Sequence, residues 1–223
     1  MERRMMKRKI ITTAINHWRR IKRERWLKRL RRKNQNHSFS LISNDCVGGV
    51  IYHDLGEQFR SPTVNLWIPN SQFLEFAQNL KYYLSCEIKE TPDAAKSYPV
   101  GTIIPKDDQH IPIEVNFMHY PSFEAGYEKW KERSARVDYD NLYYIWHFFD
   151  DDDDNTERLK LFDCWNVRKL SILHKPISGI CNCEVTNCYN QDPHGGKILD
   201  VVQKTGKRYL DEIDYIGFLN RKG

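Results

Sequence analysis

The chain has 223 residues, enough for one sizeable core and marginal for two. Its net charge of +5 hides a split: residues 1–33 hold 15 Lys/Arg and 2 Asp/Glu, whereas the rest of the chain holds 20 and 28. The basic character belongs to an N-terminal arm, which argues against a nucleic-acid-binding body. No run of about 18 apolar residues exists to cross a membrane, and the start lacks the apolar core of about 7–15 residues that a secretory signal needs. A cytoplasmic protein with its six cysteines reduced is the expectation.

Within the arm, Ile11, Ala14, Ile15, Trp18 and Ile21 recur at helical spacing, and Trp26, Leu27 and Leu30 extend the apolar set. Arg and Lys fill much of the remaining surface. A basic amphipathic helix of this kind suits an anionic membrane surface, with Trp18 and Trp26 at the headgroup level. Packing on a protein partner is the alternative, and no specific nucleic acid is expected. Residues 34–37 read as a linker, dividing the chain into an arm of residues 1–37 and a single domain of residues 38–223.

The domain opens with a β-like run at 39–43, a glycine-bearing turn, and a short helix closed by Gly56. Residues 63–68 read as a strand. Asn70 or Ser71 caps a helix over 72–86 that places Phe73, Phe76, Ala77, Leu80 and Leu84 on one face. Residues 98–104 and 111–117 form a hairpin, and Ser122 starts a helix reaching about residue 137. Residues 142–149 are an aromatic-rich strand, 150–154 an acidic loop, 156–165 a helix and 170–174 a strand. Residues 177–203 read as irregular and β-prone, and 209–219 as a final helix. The alternation predicts an α/β fold: a layered mixed sheet with helices on both faces, plus the N-terminal basic amphipathic helix.

Chemistry concentrates at residues 43–56. In open α/β sheets ligands sit beyond the carboxyl ends of strands, where a turn offers backbone N–H groups and the positive end of a helix dipole. Here Ser43 and Asn44 supply polar groups, Gly48 and Gly49 would let a ligand approach the backbone, and Cys46 at a helix N-terminus would tend toward thiolate. The competing reading is that Asn44 and Asp45 merely cap the helix while Cys46 packs inside. His53 lies two turns on, about a helix length from Cys46, too far for direct proton transfer. His119, at another strand end, is the better base; a Cys46–His119 pair oriented by Asp138 or Asp140 would suit acyl transfer. Arg133 and Arg136, three apart on one helix, could pair with phosphate or carboxylate, or with Asp138 or Asp140.

Two further clusters admit a metal. The aspartates at 150–154 could hold Mg²⁺ or Mn²⁺ with a nucleotide sugar's phosphates, though a consecutive run also reads as a solvated loop and helix cap. Cys181, Cys183, Cys188 and His194 are four zinc-ligand types at a spacing unlike common zinc sites; core packing of Cys181 and Cys183 on one strand face competes.

Residues 42–52, 59–63 and 98–101 resemble a small bacterial family of exopolysaccharide or capsule biosynthesis proteins. So do residues 117–120, with His119 and Tyr120, the spaced set Trp130, Arg133, Arg136 and Val137, and residues 140–142, with Asn141. The likeness runs from about residue 40 to residue 220, and the basic arm is expected to be an addition to it. That family often has Asn where this chain has Asp45, which implies that a carboxylate there is dispensable. The resemblance implies a cytoplasmic role in building or decorating cell-surface glycans, on a glycan or lipid-linked glycan precursor.

The combined expectation is a transferase, with acyl transfer favoured and acetyl-CoA or another acyl donor as co-substrate. Cys46 is the expected nucleophile and His119 the base. Ligand contacts are expected from Ser43, Asn44, Gly48, Gly49, His53, Tyr120, Arg133, Arg136 and Asn141, with no metal in the site. A metal-dependent glycosyl- or sugar-phosphate transferase and a non-catalytic assembly partner are the rivals.

Overall fold

A computed structural model describes residues 2–149, 153–186, 196–201 and 205–221, without the side chains of residues 2–14, 153 and 196. In chain order the elements are α1 (Glu2–Lys33), β1 (Ser40–Ser43), α2 (Val47–Leu55), α3 (Asn70–Gln78), α4 (Leu80–Tyr83), β2 (Glu87–Glu90), β3 (Val100–Ile104) and β4 (Ile113–Asn116). They continue with α5 (Phe123–Ser134), β5 (Leu142–Phe148), α6 (Asp153–Cys164), β6 (Lys169–Leu173), β7 (Cys183–Val185) and, after short 3₁₀ turns at Gly196–Leu199 and Tyr209–Glu212, α7 (Tyr215–Asn220).

The fold is mixed α/β. One sheet is parallel throughout, in the order β1-β5-β6-β7, and the second is an antiparallel meander, β2-β3-β4. Strand β5 explains why the parallel sheet is covered on both faces. Its side chains alternate between two cores: Tyr144, Trp146 and Phe148 enter one, Tyr143 and Ile145 the other. The first core fills the space to α3, α6 and the meander through Phe73, Phe76, Val115, Phe117 and Phe162. The second is closed by Leu30 of α1, Val47, Ile51 and Tyr52 of α2, and Tyr215, Phe218 and Leu219 of α7.

Local signals placed most of these elements. Gly56 adopts the left-handed conformation, φ 73°, and its N–H caps α2 on the His53 carbonyl at 3.1 Å. Ser122 caps α5 by accepting from the Ala125 N–H at 3.3 Å. Four expectations change. Residues 63–68 form turns with a lone bridge from Trp67 to Asn116, because this stretch spans the two sheets: the Ile68 N–H bonds the Asn44 carbonyl and Trp67 bonds the edge of the meander. The helix at 72–86 is broken at Asn79, whose side chain donates to the Glu75 carbonyl, and its first turn is capped from Pro69. Strand β2 was not foreseen; only Ile88 of its four residues is buried, so no alternation marks it. The final helix is split, and Asp214 starts α7 by accepting from the Gly217 N–H at 3.0 Å.

The C-terminal half of α1 is built into the domain. Leu30 is buried, Trp26 and Leu27 pack against the second core, and Arg31 Nε donates to the Asp54 carbonyl at 2.9 Å. Trp26 therefore faces protein, beneath the Lys207 ammonium at 3.9 Å, and not lipid headgroups as expected. Trp18, by contrast, is 62% exposed. Residues 34–37 are tied down as well: Asn36 Nδ2 donates to Asn141 Oδ1, the Tyr143 hydroxyl and the Leu219 carbonyl. Among the described residues no helix is long and apolar enough to cross a membrane.

Candidate active site

The turn after β1 is filled by its own side chains. Ser43 Oγ donates to the Asp45 carbonyl at 2.7 Å and accepts from the Gly48 N–H at 3.1 Å. A Cβ on Gly48 would lie 2.5 Å from that oxygen, and one on Gly49 3.1 Å from a Val64 methyl. Both glycines thus admit neighbouring protein atoms, where a ligand was expected. Asn44 is fully buried: its amide donates to the His147 carbonyl and to Asn70 Oδ1, and its oxygen accepts from the His147 N–H at 2.9 Å. It clamps the end of β1 to β5 and is no open ligand contact.

That clamp sets up the site. Asp45, one residue beyond Asn44, places Oδ2 2.5 Å from His147 Nδ1, and His147 Nε2 lies 3.0 Å from His174 Nε2. The three side chains come from just beyond β1, near the end of β5, and just beyond β6, three adjacent parallel strands. His147 is fully buried, His174 nearly so, and the Asp45 side chain is 17% exposed. A carboxylate accepting from Nδ1–H leaves His147 Nε2 as an acceptor, so His174 supplies the hydrogen of the second bond. The result is a carboxylate–imidazole–imidazole chain along which a proton can shift.

Cys46 and His119 do not form the expected pair. His119 is exposed and has no hydrogen bond to Cys46, Asp138 or Asp140. The Cys46 thiol rests 4.0 Å from the Leu66 carbonyl, and burial, reinforced by the Asp45 charge, pushes it from 9.0 up to about 12. The expected thiolate is disfavoured, because loss of water outweighs a helix N-terminus that lies beside a carboxylate. His53 is exposed at the far end of α2. Asn141 bonds Asn36 and Ser38, locking the chain ahead of β1.

A second group forms around the loop of residues 59–66. Arg133 Nη1 donates to the Val64 carbonyl at 3.0 Å and to the Tyr120 hydroxyl at 2.5 Å, with the guanidinium 5.0 Å from the Phe59 ring centre. Arg136 donates to the Phe59 carbonyl and pairs with Glu132, not with Asp138 or Asp140. Arg60 Nε is buried without a hydrogen-bond partner among the described residues. Arg133 is 8% exposed and has no carboxylate at ion-pair distance among the described residues. Burial pushes the Tyr120 phenol up against the opposing pull of Arg133. Four of the segments singled out in the sequence, at 42–52, 59–63, 117–120 and 130–137, therefore meet in space.

The family described as "Domain of unknown function (DUF1919)" matches residues 17–220. The chain belongs to this family. It is also 33% identical, over 214 residues, to an "Uncharacterized protein" of Haemophilus influenzae, with 94% of this chain and 96% of that protein's length covered. Neither description names an activity. The family match takes in α1 from residue 17, so within those bounds the basic helix is not the addition expected from the sequence.

The histidines of this family member were the missed signal. His147 interrupts an apolar strand and His174 follows the next, both at the strand ends where ligands collect. Among the described residues no three His, Cys, Asp or Glu side chains converge to hold a metal. Residues 150–152, Cys188 and His194 lie outside the described residues. Cys181 and Cys183 are free thiols, and the Cys181 and Asn182 N–H groups bond the Asp163 carboxylate.

Proposed function

We propose that the chain is a transferase that acylates a hydroxyl of a surface-glycan precursor, with the His147–His174 pair as its base. The observation that carries this reading is the Asp45–His147–His174 chain at the C-terminal rim of a parallel sheet. The acceptor O–H passes its proton to the imidazole pair as its oxygen attacks the acyl carbon of a thioester such as acetyl-CoA. The C–O bond forms, the C–S bond breaks, and the departing thiolate takes the proton back from the imidazolium. Asp45 holds His147 in the tautomer with hydrogen on Nδ1 and offsets the positive charge that develops on the pair. Cys46 lines the site as a neutral thiol.

Arg133, a buried cation with no carboxylate at ion-pair distance among the described residues, supports a precursor that carries phosphate. The glycan itself rests on the likeness of the converging segments to exopolysaccharide and capsule biosynthesis proteins. The exposed Ile15 and Trp18 on a basic helix support work at the cytoplasmic face of an anionic membrane.

The test is the O-acyl content of surface glycan in cells whose sole copy carries one substitution. His147→Gln and His174→Gln are expected to abolish acylation while glycan length persists; Cys46→Ala and His119→Ala are expected to retain it. Full acylation in His147→Gln would overturn the assigned base. Loss of the whole glycan would favour an assembly partner, and activity that requires added zinc or magnesium would make the imidazoles metal ligands.

A further inference from the structure

A separate cavity of about 380 Å³ lies between α4 and α5. It is lined by Lys81, Tyr127, Trp130, Lys131, Ser134 and Tyr139, among others. Tyr139 stands ahead of β5, whereas His147 lies near that strand's other end, so the cavity and the imidazole pair occupy opposite rims of the parallel sheet.

Three features of this cavity bear on what it holds. Neither Lys81 nor Lys131 has a carboxylate at ion-pair distance among the described residues; their ammonium groups sit over rings instead, Lys131 4.7 Å from the Tyr127 centroid and Lys81 5.9 Å from that of Tyr139. Two cations at one opening with no anion between them favour an anionic guest. The lining is partly aromatic: Tyr139 is exposed and Tyr127 half-buried, while Trp130 is almost wholly buried. Ser134 Oγ is shielded from solvent and has no hydrogen-bond partner among the described residues, a cost that turning toward a ligand hydroxyl would remove. The volume suits one small molecule.

We infer that this cavity binds a sugar acid or sugar phosphate. The anion draws the Lys81 and Lys131 ammonium groups off the Tyr139 and Tyr127 rings, a C–H face of the sugar takes the place of Lys81 against Tyr139, and the Ser134 hydroxyl turns to meet a sugar hydroxyl. The inference stands on the cavity and is independent of the imidazole pair.

Isothermal titration of the full chain with glucuronate, glucose 6-phosphate, glucose, inorganic phosphate and benzoate tests it. At least one of the first two is expected to bind about tenfold or more tightly than glucose and phosphate, since charge and ring stacking must act together. Lys81→Gln with Lys131→Gln changes only exposed side chains and is expected to weaken that binding by about tenfold or more with an unchanged circular dichroism spectrum. His174→Gln is expected to bind as the parent does. No binding of either anionic sugar, undiminished binding in the double variant, or benzoate binding more tightly than both sugars would each overturn the inference. If the sugar binds while His174→Gln retains acylation, the cavity stands and the assignment of the imidazole pair as base falls.

Discussion

The Arg23 guanidinium of α1 is ion-paired with the fully buried carboxylate of Asp54 on α2, and its other arm reaches Asp211 near the C-terminus. Three remote parts of the chain share one cation. Removing it strips the buried Asp211 carboxylate of its ion pair and leaves Asp54 only the more distant Arg208, at 3.9 Å, so Arg23→Ala is expected to destabilise the fold by about 3–5 kcal/mol. Arg20→Ala, which removes only an exposed pair with Glu24, is expected to change stability by less than about 0.5 kcal/mol. Urea denaturation of the two variants decides it.

The same anchoring dictates how a membrane role must be tested. Truncation through residue 33 would remove Leu30 and Arg23 from the core, whereas a chain starting at residue 22 keeps both. The shorter truncation is expected to fold and to lose co-sedimentation with phosphatidylglycerol vesicles, and Trp18→Ala to weaken it, more so as salt rises. Equal sedimentation of the truncated and full chains would remove the membrane role.

Asp45 acts on His147 by accepting the Nδ1 hydrogen. An amide oxygen can also accept that hydrogen, so Asp45→Asn keeps the ring's orientation and loses only the charge that balances an imidazolium. Asp45→Ala is expected to slow acyl transfer by about 10²-fold or more, and Asp45→Asn by less. Identical losses would show that charge alone is what Asp45 contributes.

Burial of Cys46 has two measurable consequences. At pH 8 iodoacetamide is expected to modify the exposed Cys164 and Cys181 well before Cys46, read by peptide mass mapping. The folded thiol keeps its proton to about 12, whereas the unfolded one loses it near 9.0. Between those values the native state binds more protons, so stability falls as pH rises above 9. Cys46→Ala is expected to flatten that decline, and an unchanged slope would show that the thiol is not the group responsible.

Elements with a local cause were legible in the residues: the aromatic run of β5, the Ser122 cap, the Gly56 stop and the β3–β4 hairpin. Strand β2 was not, because a single buried side chain carries no period. Around the candidate site, residues 43–49 were expected to be open to a ligand; Asn44, Gly48 and Gly49 instead pack against Ser43, His147 and Val64. Charge and periodicity marked the basic helix, yet its burial depended on Asp54 and Asp211, far along the chain.

By itself the sequence determined most of the helices and strands, several of their ends, and that the positive charge collects at one end, since each follows from neighbours a few residues apart. Only the tertiary structure decided that Asp45, His147 and His174, separated by 102 and 27 positions, form one hydrogen-bonded chain. Parallel pairing of β1, β5 and β6 aligns their ends, and that register is set by two cores closing on the sheet, a condition no local pattern encodes.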